Sequence, residues 1–254
     1  MARAFDGTNQ YLTLSSAPVT GGAFSMCAWF YTTVNNARDF IFDSINPPTY
    51  NNGYRLDIRG DVAGDYLNFT TLWPGGGSTG VSSVGISTNT WQHACGTWTG
   101  TLANVYLDGG NKGTSVNLGP KTISGVNATS IGNNDSGSLY FTGNIAEVGI
   151  WNVVLTDAEA AILGKGYSPL LVRPASLIAY WPLIGRTSPE IDIVGGYGMA
   201  LVNAPTVANH PRIIYPTSQQ VGLTISAAPP AGAIMPQFQY ANLGASLYNG
   251  TLIG

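Results

Sequence analysis

The sequence predicts an all-β sandwich. Three observations carry that prediction. Short runs with strand alternation recur from Phe5 to Trp151, turn residues break them at short intervals, and one helix signal alone is strong. The 254 residues suffice for one large β domain or two smaller ones. Charged residues make up 9% of the chain, where about a quarter is usual, so polarity rests on Asn, Ser, Thr and 33 glycines. These are residues of turns and exposed strand faces.

Taken in order, Tyr11–Leu14 alternates, and Phe24–Tyr31 is nearly continuously apolar, as in a strand covered on both faces. Tyr54–Arg59 alternates cleanly and Tyr66–Thr70 repeats the pattern, which predicts one face toward the core and one toward solvent. Asn104–Leu107 runs into Asp108-Gly109-Gly110-Asn111, where Asp-Gly supplies the positive-φ positions of a tight hairpin. Asn144–Trp151 reads as a further strand with Ala146, Val148 and Ile150 on one face. Thr156-Asp157-Ala158-Glu159 is a capping box before Ala160–Leu163, and Gly164 stops a helix of about two turns.

After Gly166 the character changes. Seven prolines from Pro169 to Pro216 punctuate an extended segment with one strong strand, Leu177–Trp181. Beyond Arg212 no charged residue or histidine occurs. The reading is therefore a sandwich over residues 1–166, an extended segment with one added strand over 167–215, and an uncharged arm for assembly contacts over 216–254.

Several motifs resemble one known family. Phe5-Asp6-Gly7-Thr8-Asn9-Gln10-Tyr11-Leu12 looks like the opening strand of laminin-G-like, concanavalin A-like lectin/glucanase domains. Phe24–Phe30, Trp91-Gln92-His93-Ala94, Val105–Gly109 and Phe141–Asn152 look like its later motifs, in the family's order. The resemblance implies a jelly-roll β-sandwich with one short terminal helix. One departure stands out: the leader that tandem members place before the opening strand resembles Leu177-Ile178-Ala179-Tyr180-Trp181-Pro182-Leu183 with Asp192, Gly195 and Gly196, which here follows the domain. That layout, with Arg173–Ser176 before the strand and Asn209–Arg212 after it, is similar to structural proteins of tailed bacteriophages.

Composition narrows the function. The ten basic residues are scattered and the net charge is −3, so no nucleic-acid footprint is expected. No apolar run reaches membrane-spanning length. Met1–Phe5 leads straight into strand-like sequence, which predicts folding in a cytoplasm. Cys27 and Cys95 read as buried thiols, with a disulfide left open, and the two histidines lack zinc-ligand spacing. No cofactor is expected.

The candidates for chemistry are few. Glycoside hydrolysis needs two carboxylates flanking the bond. The glutamates are Glu147, Glu159 and Glu190, and none lies in the run that the glucanase members use. His93 sits where the resemblance implies a residue used for packing and hydrogen bonding, and His210 reads as a residue without a visible partner; Gly75-Gly76-Gly77 lacks the Lys-Ser/Thr of a phosphate loop. The family's calcium site would draw on Asp6, Asn9 and Glu147, but Gln10 stands where relatives carry an acid, so no metal is expected. Sugar binding is the family's common use, and Tyr50, Tyr54 and Trp73 are the candidate stacking rings, while Trp29, Trp91 and Trp151 read as core. The expected function is a non-catalytic virion structural protein of a phage (capsid decoration, head fibre or tail-associated subunit). It would be assembled in the host cytoplasm as a homo-oligomer, with a trimer the first guess, and held by other virion proteins through its arm. The alternative is a carbohydrate-binding lectin module that recognises cell-surface glycans; a glycan hydrolase ranks last.

Overall fold

The computed structural model describes residues 1–34, 37–75, 77–134, 137–185 and 187–216, apart from the side chains of 83 and 84. Apart from Pro216, the arm predicted over 216–254 lies outside the described residues. Among the described residues fifteen strands run in chain order: β1 (Ala2–Asp6), β2 (Tyr11–Leu14), β3 (Phe24–Thr32), β4 (Arg38–Ile45), β5 (Gly53–Arg59), β6 (Tyr66–Trp73), β7 (Gly77–Gly85), β8 (Gln92–Trp98), β9 (Ala103–Leu107), β10 (Gly110–Thr114), β11 (Ala128–Ile131), β12 (Thr142–Trp151), β13 (Leu177–Trp181), β14 (Ala200–Val202) and β15 (Thr206–Ala208). The single α-helix among the described residues, α1, spans Asp157–Gly164.

The pairings between the named strands are antiparallel, and the strands form two sheets. The first runs β10-β9-β8-β3-β12-β1-β15, with β13 also on β12; the second runs β14-β2-β11-β4-β5-β6-β7. β12 pairs β3 along one edge. Its other edge takes β1 at Thr142–Ile145 and β13 at Val148–Trp151.

Alternation builds the core between the sheets. Phe24, Met26, Ala28 and Phe30 of β3 meet Tyr54, Leu56 and Ile58 of β5 and Leu67 and Phe69 of β6 in one buried cluster. At about 25 cal/mol per Å² of apolar surface removed from water, rings of this size dominate the stability of the fold. The Asp108-Gly109 turn has both residues at positive φ, 53° and 72°, as the hairpin requires. A side chain at Gly109 would collide with the backbone of Ala161, so the turn seats α1 directly. Thr156 and Glu159 close both halves of the capping box.

Two sequence expectations change. Residues 167–215, read as an extended segment with one added strand, carry three: β13 and β15 extend the first sheet and β14 the second, and Met1–Pro216 is one compact unit. Asp192 fixes this addition, its carboxylate accepting from the backbone N–H groups of Tyr180, Val194, Gly195 and Tyr197. Second, Ala146, Val148 and Ile150 do not share a face. A bulge between Ala146 and Gly149, with Glu147 at φ 57°, shifts the alternation so that Ile145, Val148 and Ile150 enter the core.

Candidate functional site

The outer face of the first sheet is divided. At one end Cys27, Cys95, Tyr106 and Trp151 are buried beneath Leu155, Ala160 and Leu163, forming a second core under α1. Both cysteines are free; burial pushes the Cys95 thiol up to about 12 and raises Cys27 as well, so neither is a ready thiolate. At the other end α1 gives no cover. The same face there carries Trp29 and Tyr31 of β3, both only partly buried, with Trp91 just ahead of β8.

Register explains how these side chains assemble. Tyr31 pairs with Asn144 and Asn144 with Ala4, while Trp29 pairs with His93 on one side and Ala146 on the other. Rings are thus flanked by alanines and amides on neighbouring strands. The Tyr31 and Trp91 centroids lie 5.9 Å apart at 58°. Together with Asn144, Ala208, Asn209 and His210 they line an open cleft of about 420 Å³.

One wall of the cleft is anchored to a buried carboxylate. The bulge turns Glu147 outward beneath the 210s, where it is fully buried. Its Oε2 accepts from the Tyr180 hydroxyl at 2.5 Å and its Oε1 from the Tyr215 hydroxyl at 2.9 Å. Burial, followed by the neighbouring Glu147 charge, raises both phenols far above their ordinary range. His210 Nε2 stands 3.2 Å from Glu147 Oε1, and its Nδ1 lies 2.8 Å from the carbonyl of Pro211. A carbonyl only accepts, so Nδ1 carries the hydrogen of that contact, while Nε2 has no hydrogen-bond partner among the described residues. His210 thus stands against the Glu147 carboxylate and the Pro211 carbonyl, neighbours that sequence reading did not find.

His93 lies at the border of the two halves. It is buried against Trp29, ring centroids 5.4 Å apart, and neither ring nitrogen has a hydrogen-bond partner among the described residues. Burial lowers its pKa to about 3, so the ring is neutral at physiological pH. Its backbone N–H donates to Asp108 Oδ1 at 2.7 Å.

The three aromatic residues singled out from sequence do not converge. Tyr54 is fully buried between Phe24 and Phe42, with its hydroxyl accepting from Val19 N–H; it is a core residue and offers no face to a sugar. Tyr50 and Trp73 lie at the same end of the second sheet, and Tyr50 is 38% exposed. Trp73 has Lys121 Nζ 5.5 Å from its ring centroid and packs against Gly77, where a Cβ would collide with the indole. Its stacking surface is thus largely used within the chain.

The sequence also misplaced tryptophans. Of Trp29, Trp91 and Trp151, only Trp151 is core. The one available signal was position: Trp29 and Tyr31 sit near the end of β3, beyond the reach of a two-turn helix.

The acidic candidates are held apart. Asp6 Oδ1 accepts from the N–H groups of Thr8, Asn9 and Gln10, and Asp6 pairs with Thr142, five residues along β12 from Glu147. Asp6, Asn9 and Glu147 therefore do not form one ligand set, and no cluster of three His, Cys, Asp or Glu side chains suited to a metal occurs among the described residues. Glu159 is engaged by Thr156 and Arg173, and Glu190 by Arg3 in a buried pair at 2.7 Å.

Residues 6–161 match the model of the concanavalin A-like lectin/glucanases superfamily. The chain belongs to this superfamily. It is 27% identical to human C-reactive protein over 177 residues, which is 65% of this chain and 75% of that protein. The fold is similar to that of a heptameric SAP-like pentraxin from Limulus polyphemus, with a TM-score of 0.51 and 19% identity over 64% of this chain and 81% of that one. It is also similar to a Bacteroides ovatus protein proposed to bind carbohydrate, with a TM-score of 0.54 and 20% identity over 82% of this chain and 62% of that one. The superfamily match stops at residue 161, yet β13, β14 and β15 complete the sheets of this member.

Proposed function

We propose that this protein is a non-catalytic carbohydrate-binding protein and that the cleft on the first sheet is its sugar site. One observation carries the reading: two partly exposed rings, Tyr31 and Trp91, stand 5.9 Å apart beside the amides of Asn144 and Asn209 and the imidazole of His210. A sugar presents an apolar ring face edged by hydroxyls, and it needs a flat aromatic surface flanked by a few fixed hydrogen-bonding groups. The cleft supplies both. Superfamily membership and the likeness to a Bacteroides protein proposed to bind carbohydrate support the same reading.

The virion role rests on the phage-like layout around Leu177–Trp181, on the N-terminal sequence and on the uncharged residues after Arg212, while superfamily membership supports glycan binding, which takes precedence. Mass spectrometry of purified phage particles tests the virion role independently of any sugar. The sugar site is tested by screening the protein on a glycan array and repeating the best hit by calorimetry with Trp91→Ala. Loss of about 30-fold in affinity is expected, equivalent to the ~2 kcal/mol typical of an aromatic hot spot. An array without hits, or a variant that binds like the parent, rejects the assignment.

A further inference from the structure

The bulge in β12 carries Glu147 out of the core and under the segment that ends the described chain. Its two oxygens take the hydroxyls of Tyr180 on β13 and of Tyr215. A carboxyl group that accepts on both oxygens is in its ionised, acceptor-only form. Its third neighbour is His210, whose side chain is 14% exposed and whose Nε2 stands 3.2 Å from Glu147 Oε1. That separation suits an ion pair, although Nε2 is buried and has no hydrogen-bond partner among the described residues. The same imidazole lines the cleft with Tyr31 and Trp91, so one ring joins the buried carboxylate to the sugar site. Tyr180, His210 and Tyr215 all lie beyond residue 161, where the superfamily match ends.

This imidazole sits between two acceptors. Nδ1 faces the Pro211 carbonyl at 2.8 Å, and Nε2 faces the Glu147 carboxylate. A neutral ring has one N–H, so either tautomer turns a lone pair toward one of the two acceptors. Only the doubly protonated ring presents a hydrogen to both. The place of the ring and its second proton are therefore linked: the proton favours the ring in the cleft wall, and without it the ring is released.

The other titratable groups around His210 keep their charge. Tyr180 on β13 and Tyr215 on the same segment are phenols held protonated by burial and then by the Glu147 charge. Cys27 on β3, whose Sγ lies 3.7 Å from the Glu147 carbonyl oxygen, is raised by burial. Tyr31 on β3 shares the cleft, and Arg212 is exposed two residues further along the segment. Histidine is the residue type in this cluster whose charge changes between about pH 5 and pH 8.

We infer that Glu147 and His210 form a proton-operated latch on the cleft, in which Glu147 is a positioning residue that does not touch the sugar. Proton uptake by His210 fixes the wall at residues 208–210, and sugar binding tightens as the pH falls. The sugar part rests on the glycan-binding reading above, while the latch stands on the geometry around His210 alone.

Two measurements on the full chain separate these parts. The first compares NMR backbone order parameters of Asn209, His210 and Arg212 in the free protein at about pH 5 and pH 8. In the parent they are expected to fall from about 0.85 toward about 0.6 at the higher pH. The difference should vanish in Glu147→Gln and in His210→Gln. Loss in His210→Gln also sets aside Asp39, which burial pushes up to about 7 and which accepts from the Thr142 backbone N–H at the far end of β12. The second measures the top-ranked neutral glycan of the array by calorimetry: affinity should be at least ~5-fold tighter at the lower pH in the parent and equal at both in His210→Gln. Equal order at both pH values in the parent, or a difference that persists in either variant, overturns the latch whatever the sugar result. A blank array overturns the sugar part alone, as does a parent affinity that ignores pH. The order parameters of the parent decide the matter even where a variant folds poorly.

Discussion

The two ends of the first sheet's outer face are built from the same strands and end as opposites. Along β3, Cys27 lies beneath α1 in a closed second core, while Trp29 and Tyr31, two and four residues on, remain partly open. Nothing in the alternation of β3 separates them, because all three occupy the same face. The difference is made by α1, seated on the Asp108-Gly109 turn, which covers only the first of the two ends. An outward aromatic residue is thus core or binding surface according to what a later part of the chain lays over it.

The sharpest way to break this comparison is to truncate one tryptophan at each end. Trp151, fully buried with its Nε1 donating to the Val172 carbonyl at 2.7 Å, should cost ~3–5 kcal/mol as Trp151→Ala. Trp91→Ala should cost under ~1 kcal/mol, as a partly exposed site does. Denaturant unfolding of both variants reads the contrast, and equal losses would erase the distinction between the two ends.

A second prediction concerns His93 at the border and Asp39 at the start of β4, which burial pushes up to about 7. Between about pH 4 and 6.5 the unfolded chain protonates His93 and ionises Asp39, whereas the native chain keeps both neutral. The depressed histidine makes stability fall as pH drops through this window; the raised carboxyl makes it rise. The two slopes oppose, so the parent protein should be nearly flat there. Asp39→Asn should lose ~3 kcal/mol of stability between pH 6.5 and 4, and His93→Phe should gain a similar amount over the same interval. Unfolding curves at three pH values suffice, and parallel behaviour of the two variants would refute the assignment.

The smallest effect tests the cover itself. Thr156→Ala removes the hydroxyl that accepts from Glu159 N–H and should cost ~1 kcal/mol, with hydrogen exchange rising in α1 and not around Trp91.

Much of the fold was legible because it is written locally. Tyr54–Arg59 alternates, Asp108-Gly109 supplies two positive-φ residues, and Thr156–Glu159 caps its own helix. The site was less legible. Tyr54 and Trp73 looked like stacking rings, yet the first is sealed by Phe24 and Phe42 and the second is occupied by Lys121 and Gly77. Tyr31 and Trp91 become neighbours only through the pairing of β3 with β8, some sixty residues apart. His210 meets Glu147 only because a bulge reverses the face on which that carboxylate stands.

By itself, then, the sequence determined an antiparallel sandwich with one capped helix, because hydrophobic alternation, turn chemistry and capping act within a few residues. It also determined membership of the concanavalin A-like superfamily, whose motifs are contiguous stretches. The tertiary structure alone decided that residues 167–215 complete both sheets, and which of the outward rings are covered. It likewise decided that His210 stands against the Glu147 carboxylate. The physical reason is the same in each case: burial and charge are set by groups brought together across strands, and a one-residue bulge or a two-turn helix is enough to reassign them.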